Sequence, residues 1–216
     1  MTTVEIIEIL AIILSLAVAI IGHEIMHGYA AYRYGDHTAK DLGRLKINPL
    51  VHVDPVGTII VPALLYFSNA GFLFGWAKPV PINIPTVIKN GGYNAAIMVS
   101  LAGVFFNFAM ALIATIVLQI LPSVNTLWML FIHAFFIYTL IYNVVLGIFN
   151  LIPIPPLDGS HVVVYQAKKM GYYDFANKFQ SIGMYGMIIL IIIIATPLAD
   201  IVFAPILEVI NILLPK

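Results

Sequence analysis

Cysteine is absent from the 216-residue chain, which excludes disulfides and thiolate metal ligands and leaves the redox compartment unread. Charge is scarce: Asp, Glu, Lys and Arg make up 9% of the residues, where soluble domains carry roughly a quarter. The formal net charge is zero, so no basic field exists to hold nucleic acid and no acidic tail stands out. Internal repeats and low-complexity tracts are lacking as well. What fills the chain is apolar sequence, 62% of it. A domain of this size has too little interior to hide that much from water, so lipid must cover part of it. The first apolar stretch lacks a basic flank, and it is read as a mature helix rather than a removable leader.

The apolar segments set the expected architecture. One runs from about Val4 to Tyr34, with an uncharged heart at Ile9–Gly22. Val56–Phe74 is shorter and broken by Pro62, Asn69 and Gly71, which suits a re-entrant or interfacial element. Asn94–Leu121 and Thr126–Asn150 are long enough to span, and Pro122–Asn125 between them reads as a tight turn. Ser181–Ala195 is a further apolar helix; Leu198–Leu214, interrupted by Asp200, Pro205 and Glu208, is a further candidate span. Arg44–Pro49 alternates like a short strand. Gly75–Pro85 is punctuated by prolines and fits an edge strand or hairpin. The chain is expected to be one domain, residues 1–216.

Basic residues orient these segments. Arg33, Lys40, Arg44 and Lys46 follow the first helix, Lys78 and Lys89 precede the second long span, and Lys168, Lys169 and Lys178 follow the third. The turns at Pro122–Asn125 and Thr196–Asp200 carry no base. All basic clusters share one side if the N-terminus is outside and the C-terminus cytoplasmic.

His23-Glu24-Ile25-Met26-His27 is an HExxH sequence on the first apolar helix. The i, i+4 spacing places both imidazoles on one helical face, one turn apart. Two neutral nitrogens can then bind one zinc ion, with Glu24 beside them as general base. Zinc lowers the pKa of coordinated water towards neutrality, which gives the carboxylate a usable nucleophile to make. On a soluble helix such a pentapeptide is more often chance. Inside a bilayer each ionisable residue costs on the order of a few kcal/mol, and a metal offsets that cost.

A catalytic zinc needs a third protein ligand and an open position. His37, His52, Asp36, Asp41 and Asp54 follow the first helix, and His133 lies within the third long span. Asp158 ends the run Asn150-Leu-Ile-Pro-Ile-Pro-Pro-Leu-Asp158-Gly159, whose prolines stop the third span and re-aim the chain. Irregular backbone at membrane depth is tolerated where it lines a cavity. Glu24 precedes Tyr34 by ten residues, about 15 Å of helix at ~1.5 Å per residue, so the site falls in the cytoplasmic leaflet. Asp158 approaches from that side; His133 sits nearer the outer half of its span. Chain geometry favours Asp158 and leaves His133 open.

HEIMH on a membrane helix, with FNLIPIPPLDG far downstream, resembles the site-2 protease family of intramembrane zinc metalloproteases. GRLKINPLVHVDPVGT at Gly43–Thr58, GWAKPVP at Gly75–Pro81 and SLAGVFFN at Ser100–Asn107 are similar to its compact prokaryotic branch. The resemblance implies an all-α polytopic membrane protein. It has a three-helix catalytic core within about residues 4–159, further membrane helices in 160–216, and a small membrane-associated β element between the first two core helices. It implies one zinc per chain on His23, His27 and Asp158, with Glu24 catalytic. Asn107 and Asn150 match family asparagines that orient substrate or stabilise an oxyanion; interhelical hydrogen bonding is the plainer role for both. Gly43–Pro49 and Trp76–Pro81 would offer an edge to an unwound substrate. Val104 departs from the proline the family often carries there, which puts a local kink in doubt. No stretch remains for a PDZ or CBS-pair domain.

The implied activity is hydrolysis of a peptide bond in or near the transmembrane segment of a single-span substrate protein. The setting is a prokaryotic cell membrane and regulated intramembrane proteolysis. Two other classes fit the same cluster: a zinc transporter, and an inactive relative that only binds membrane helices. A transporter would need a polar path through the outer half of the spans, where few polar groups stand in line. His52 has a loop-shaping role in prospect, and His161, three residues after Asp158, is a candidate to hydrogen-bond a metal ligand from behind.

Overall fold

The computed structural model describes residues 1–67 and 75–214, and every regular element there is helical. α1 (Thr3–Arg33) starts at Thr2, whose hydroxyl accepts the Glu5 N–H while the Glu5 carboxylate accepts the Thr2 N–H. This capping box pairs two amides that the helix itself leaves free. α2 (Thr38–Asp41), a 3-10 turn at Pro49–His52, a π turn at Pro55–Ile60 and α3 (Val61–Phe67) follow. α4 (Ile84–Ile120) is capped by Asn83 and breaks at Gly92, where φ is 69°. Glycine alone reaches that conformation without strain, so the helix turns a corner between 84–91 and 93–120. The expected span beginning at Asn94 is the second of these pieces. α5 (Leu127–Asn150) is capped by the Thr126 hydroxyl. The chain ends with α6 (Asp158–Lys169), α7 (Tyr173–Ser181), α8 (Gly183–Ala195) and α9 (Leu198–Leu213).

α1, α4 and α5 are each long and apolar enough to cross a bilayer. They pack on one another through residues spaced by four. In α1 the buried stripe is Ala11, Ser15, Ala19, His23, His27 and Ala31; in α4 it is Ala95, Val99, Gly103, Asn107, Ala111 and Thr115. Small residues dominate both stripes, which lets the backbones approach closely, as membrane helix pairs require. Ser15 donates to the Phe135 carbonyl and accepts from Thr139, stitching α1 to α5. The outward faces carry Ile6, Ile9, Leu10 and Ile13 on α1 and Leu112, Ile113 and Ile116 on α4, all exposed. In water such surface would be costly, whereas in lipid it is the required covering.

α8 and α9, of 13 and 16 residues, are separate helices broken at Thr196–Pro197. Neither reaches the roughly 20 residues that a straight span needs. α9 packs Ile206 and Ile210 against Ala111, Ala114 and Leu118 of α4 and Leu140 and Val144 of α5. α6 lies on α4, with Val164, Tyr165 and Ala167 around Ala96.

The β element expected between the first two core helices is not seen among the described residues; 68–74, part of the Val56–Phe74 segment, lie outside them. Leu45 and Lys46 form a bend before the 3-10 turn at Pro49–His52, and Gly75–Pro81 is irregular and pairs with no strand among the described residues. Two physical causes explain the difference. Prolines at 79 and 81 remove the amides a ladder needs. The partner of this stretch is a pair of helical turns: the Trp76 N–H donates to Gly57 O and the Lys78 N–H to His52 O.

Asp36 ties the end of α1 to the start of α4. One carboxylate oxygen accepts the Thr38 N–H and hydroxyl, and the other accepts the Asn83 N–H at 2.6 Å. Burial alone would raise this carboxyl, but the hydrogen bonds from Thr38 and Asn83 outweigh it and hold it below the usual carboxylate range. A carboxyl depressed on folding stabilises above its unfolded pKa of about 3.9 and loses that contribution as pH falls through the folded value. Thermal unfolding in detergent should therefore show wild-type stability dropping below about pH 4, with a shallower drop in Asp36→Asn, which should be roughly 1–2 kcal/mol less stable at pH 7.

Candidate metal centre

His23 and His27 lie towards the C-terminal end of α1, on its buried stripe. Asp158 is the first residue of α6, where a carboxylate is favoured by the helix N-terminus. The proline-rich turn after α5 carries it back onto α1. His23 Nε2 lies 3.1 Å and His27 Nε2 3.2 Å from Asp158 Oδ2, and the two Nε2 atoms are 3.0 Å apart. Three ligand-type atoms thus form a nearly equilateral triangle, and among the described residues this is the group of three able to hold a metal ion.

The protonation states follow from the outer partners. His23 Nδ1 is 2.6 Å from Asn107 Oδ1, and His27 Nδ1 is 2.7 Å from the Val99 carbonyl. A carbonyl only accepts. Asn107 has its orientation decided elsewhere: its Nδ2 donates to Ala19 O at 3.2 Å and to Asn143 Oδ1 at 2.8 Å, and Asn143 in turn donates to Thr139 O. Both Nδ1 atoms must therefore be N–H donors, so that each ring in its neutral form presents Nε2 as a bare lone pair. Asp158 Oδ2 is buried and accepts no hydrogen bond.

Two lone pairs and a carboxylate oxygen facing each other at 3.0–3.2 Å repel unless a cation joins them. The ligands of a four-coordinate zinc at about 2.0–2.2 Å stand roughly 3.3–3.6 Å apart, close to the spacing here. Donor types, tautomers and spacing all fit one zinc-like ion. Its nitrogen ligands are held from behind by Asn107 and the Val99 carbonyl, the usual way imidazole ligands are oriented.

Glu24 sits beside the triangle on the next position of α1. Its Oε2 accepts the Val80 N–H at 2.8 Å, and its Oε1 makes no hydrogen bond among the described residues. One oxygen is thus held by the 75–83 segment and the other is left for chemistry.

The remaining candidates separate from this centre. Asn107 is fully buried, with every polar atom of its amide spent between helices. Asn150 donates back to the Leu146 carbonyl of its own helix. His133 bonds the Met129 carbonyl of its own helix. His52 Nε2 bonds the Lys46 carbonyl, which shapes the loop. His161 stacks on Tyr165 and makes no hydrogen bond to Asp158. Residues not singled out in the sequence include Gly103, Asn143, Val99, Val80 and Arg44. A signal for two of them was present: Val99, Gly103 and Asn107 recur at intervals of four and so share a face of α4.

Comparison with known proteins bears on this centre. Residues 120–194 match the model of peptidase family M50, a stretch that includes Asp158. The chain is 34% identical over 201 residues to "Putative zinc metalloprotease YwhC" of Bacillus subtilis, covering 91% of this chain and 85% of that protein. It is 26% identical over 179 residues to "Putative zinc metalloprotease Rip2" of Mycolicibacterium smegmatis, covering 81% of this chain and 62% of that relative. It is 30% identical over 139 residues to the Mycobacterium tuberculosis protein of the same name, covering 63% and 49%. No solved structure matches significantly.

Proposed function

The chain belongs to peptidase family M50, and on that footing we propose that it is an intramembrane zinc endopeptidase. It hydrolyses a peptide bond in or near the transmembrane segment of a single-span membrane protein. The observation that carries the reading is the convergence of His23 Nε2, His27 Nε2 and Asp158 Oδ2, both nitrogens bare in the neutral rings, beside a carboxylate with one oxygen unbonded among the described residues.

His23, His27 and Asp158 would hold one zinc per chain. Bound there, the ion supplies Lewis acidity towards water and the scissile carbonyl. Glu24 Oε1 accepts the proton of the attacking water and passes it to the leaving amine. The apolar walls of α1 and α4 keep bulk water away, which strengthens each charge at the site. Substrate helices must be loosened first, because their peptide bonds are shielded by their own hydrogen bonds. The distribution of basic residues supports an N-terminus outside, a C-terminus in the cytoplasm and chemistry near the cytoplasmic face.

The test is cleavage of single-span membrane proteins by the purified chain in bilayers. Wild type should cleave at least one, chelator should stop it, and zinc should restore it. Glu24→Gln should retain zinc and cut at least about a thousandfold more slowly, as loss of a general base predicts. Equal cleavage by wild type and Glu24→Gln overturns the proposal.

A further inference from the structure

Arg44 is buried, 9% exposed, in a chain that has ten Lys and Arg in all. A buried guanidinium is costly unless its donors are used. Among the described residues no carboxylate pairs with it. It donates instead, through Nη2, to two successive backbone carbonyls, Lys78 O at 2.9 Å and Pro79 O at 3.2 Å, while its Nε finds no partner among the described residues. The next residue is Val80, whose N–H is on Glu24 Oε2. Pro79 and Pro81 flank Val80 and carry no amide hydrogen. Across 79–81, then, one N–H exists, and it is spent on the carboxylate next to the metal ligands. Both ends of this contact are set: the prolines restrict the backbone to extended conformations, and Val80 packs its side chain against Gly28 of α1.

From this arrangement we propose that Arg44 is a positioning residue for the peptidase reaction. It clamps the Lys78 and Pro79 carbonyls so that the Val80 N–H holds Glu24 Oε2 and leaves Oε1 as the proton acceptor. The clamp contributes nothing to the ligand set. It selects one orientation of the carboxylate, which a side chain with three rotatable bonds would otherwise sample among several. This rests on the reading of Glu24 as general base.

Two independent readouts test it. Residue 80 is the one exchanging amide in 79–81, so hydrogen exchange of a fragment covering that stretch reports the contact directly. Arg44→Ala should speed exchange at residue 80 by about tenfold or more. Glu24→Ala should do the same, whereas Val80→Ala, which keeps the N–H, should stay protected. In cleavage assays, Arg44→Ala should lower kcat about tenfold to hundredfold, the worth of a hydrogen bond to a charged group, with KM within about twofold. Zinc content should match wild type. Arg44→Lys, which keeps a cationic donor but not the planar guanidinium, should recover part of the loss. Val80→Pro deletes the N–H itself and should reproduce the kcat defect. The double variant should then be no slower than Val80→Pro alone, because both changes remove one interaction. Should Arg44→Ala fail to fold, Val80→Pro and Arg44→Lys carry the test. Unchanged exchange at residue 80 in Arg44→Ala or Arg44→Lys, wild-type kcat in Val80→Pro, or additive losses in the double variant would each overturn the clamp. A wild-type chain that binds zinc and cleaves nothing overturns the peptidase reading instead, and the exchange data then decide the clamp separately.

Discussion

Gly103→Ala is expected to lose zinc and, with it, cleavage, while the helices stay folded. A Cβ placed on residue 103 would lie 2.5 Å from His27 Nε2 and 2.6 Å from both Cε1 and Nδ1 of His23. Contacts that short do not persist, so something has to move. The α4 backbone is packed along its whole stripe. The imidazoles could move, but each ring is tethered through Nδ1, to Asn107 or to the Val99 carbonyl. Swinging either ring away strands a buried N–H at a cost of about 1–3 kcal/mol and takes Nε2 out of the triangle. Alanine is also a better helix former than glycine by about 1 kcal/mol, so α4 itself gains. Zinc affinity should fall by more than about a hundredfold, since one methyl disturbs two ligands at once. Circular dichroism and detergent-phase size should stay as in wild type. Isothermal titration with zinc checks the first point, and an affinity equal to wild type would show that the described approach of α4 to α1 is wrong.

Gly103 also marks where sequence reading reaches its limit. The parts that were legible are local. The HEIMH spacing follows from one helical turn, and α1, the 93–120 piece of α4 and α5 follow from long apolar runs, whereas the start of α4 at Ile84, capped by Asn83, lay inside a stretch read as extended. The prolines before Asp158 stop α5 within the chain's own sequence. Even the third ligand could be ranked, because depth along a helix is arithmetic. What was illegible depends on which helix faces which. Nothing in SLAGVFFN says that its glycine meets two imidazoles 76 and 80 residues away in the chain. Asn143 carries no motif, yet it aims the amide that fixes the tautomer of His23. The expected strands failed for a related reason. Alternation at 44–49 and extension at 75–81 are local signals, but a strand also needs a partner, and here the partner folded into helical turns. Arg44 then supplied side-chain donors to carbonyls that a neighbouring strand would have used.

The same chain of amides gives the last expected result, for Asn107→Leu. Two roles are open to Asn107, substrate contact or support of the zinc ligands, and the variant separates them. In the structure its Oδ1 is the acceptor for His23 Nδ1, and its Nδ2 is tied to Ala19 and Asn143. Leucine has similar bulk and no polar atom. His23 loses the acceptor that keeps its proton on Nδ1, so the ring can place that proton on Nε2, the nitrogen the metal needs bare. Asn143 Oδ1 loses its donor as well, adding to the destabilisation. Zinc affinity should fall about tenfold to hundredfold, the usual effect of removing an outer partner of a metal-bound imidazole. Cleavage at limiting zinc should fall in step and return towards wild type at saturating zinc, because Glu24 and all three ligands remain. Asn143→Leu, one bond further out, should show the same pattern at smaller amplitude. A substrate or oxyanion role predicts the opposite combination: zinc affinity equal to wild type, kcat reduced by roughly a hundredfold or more, and no rescue by added metal. Measuring kcat across a zinc titration for both variants decides between them.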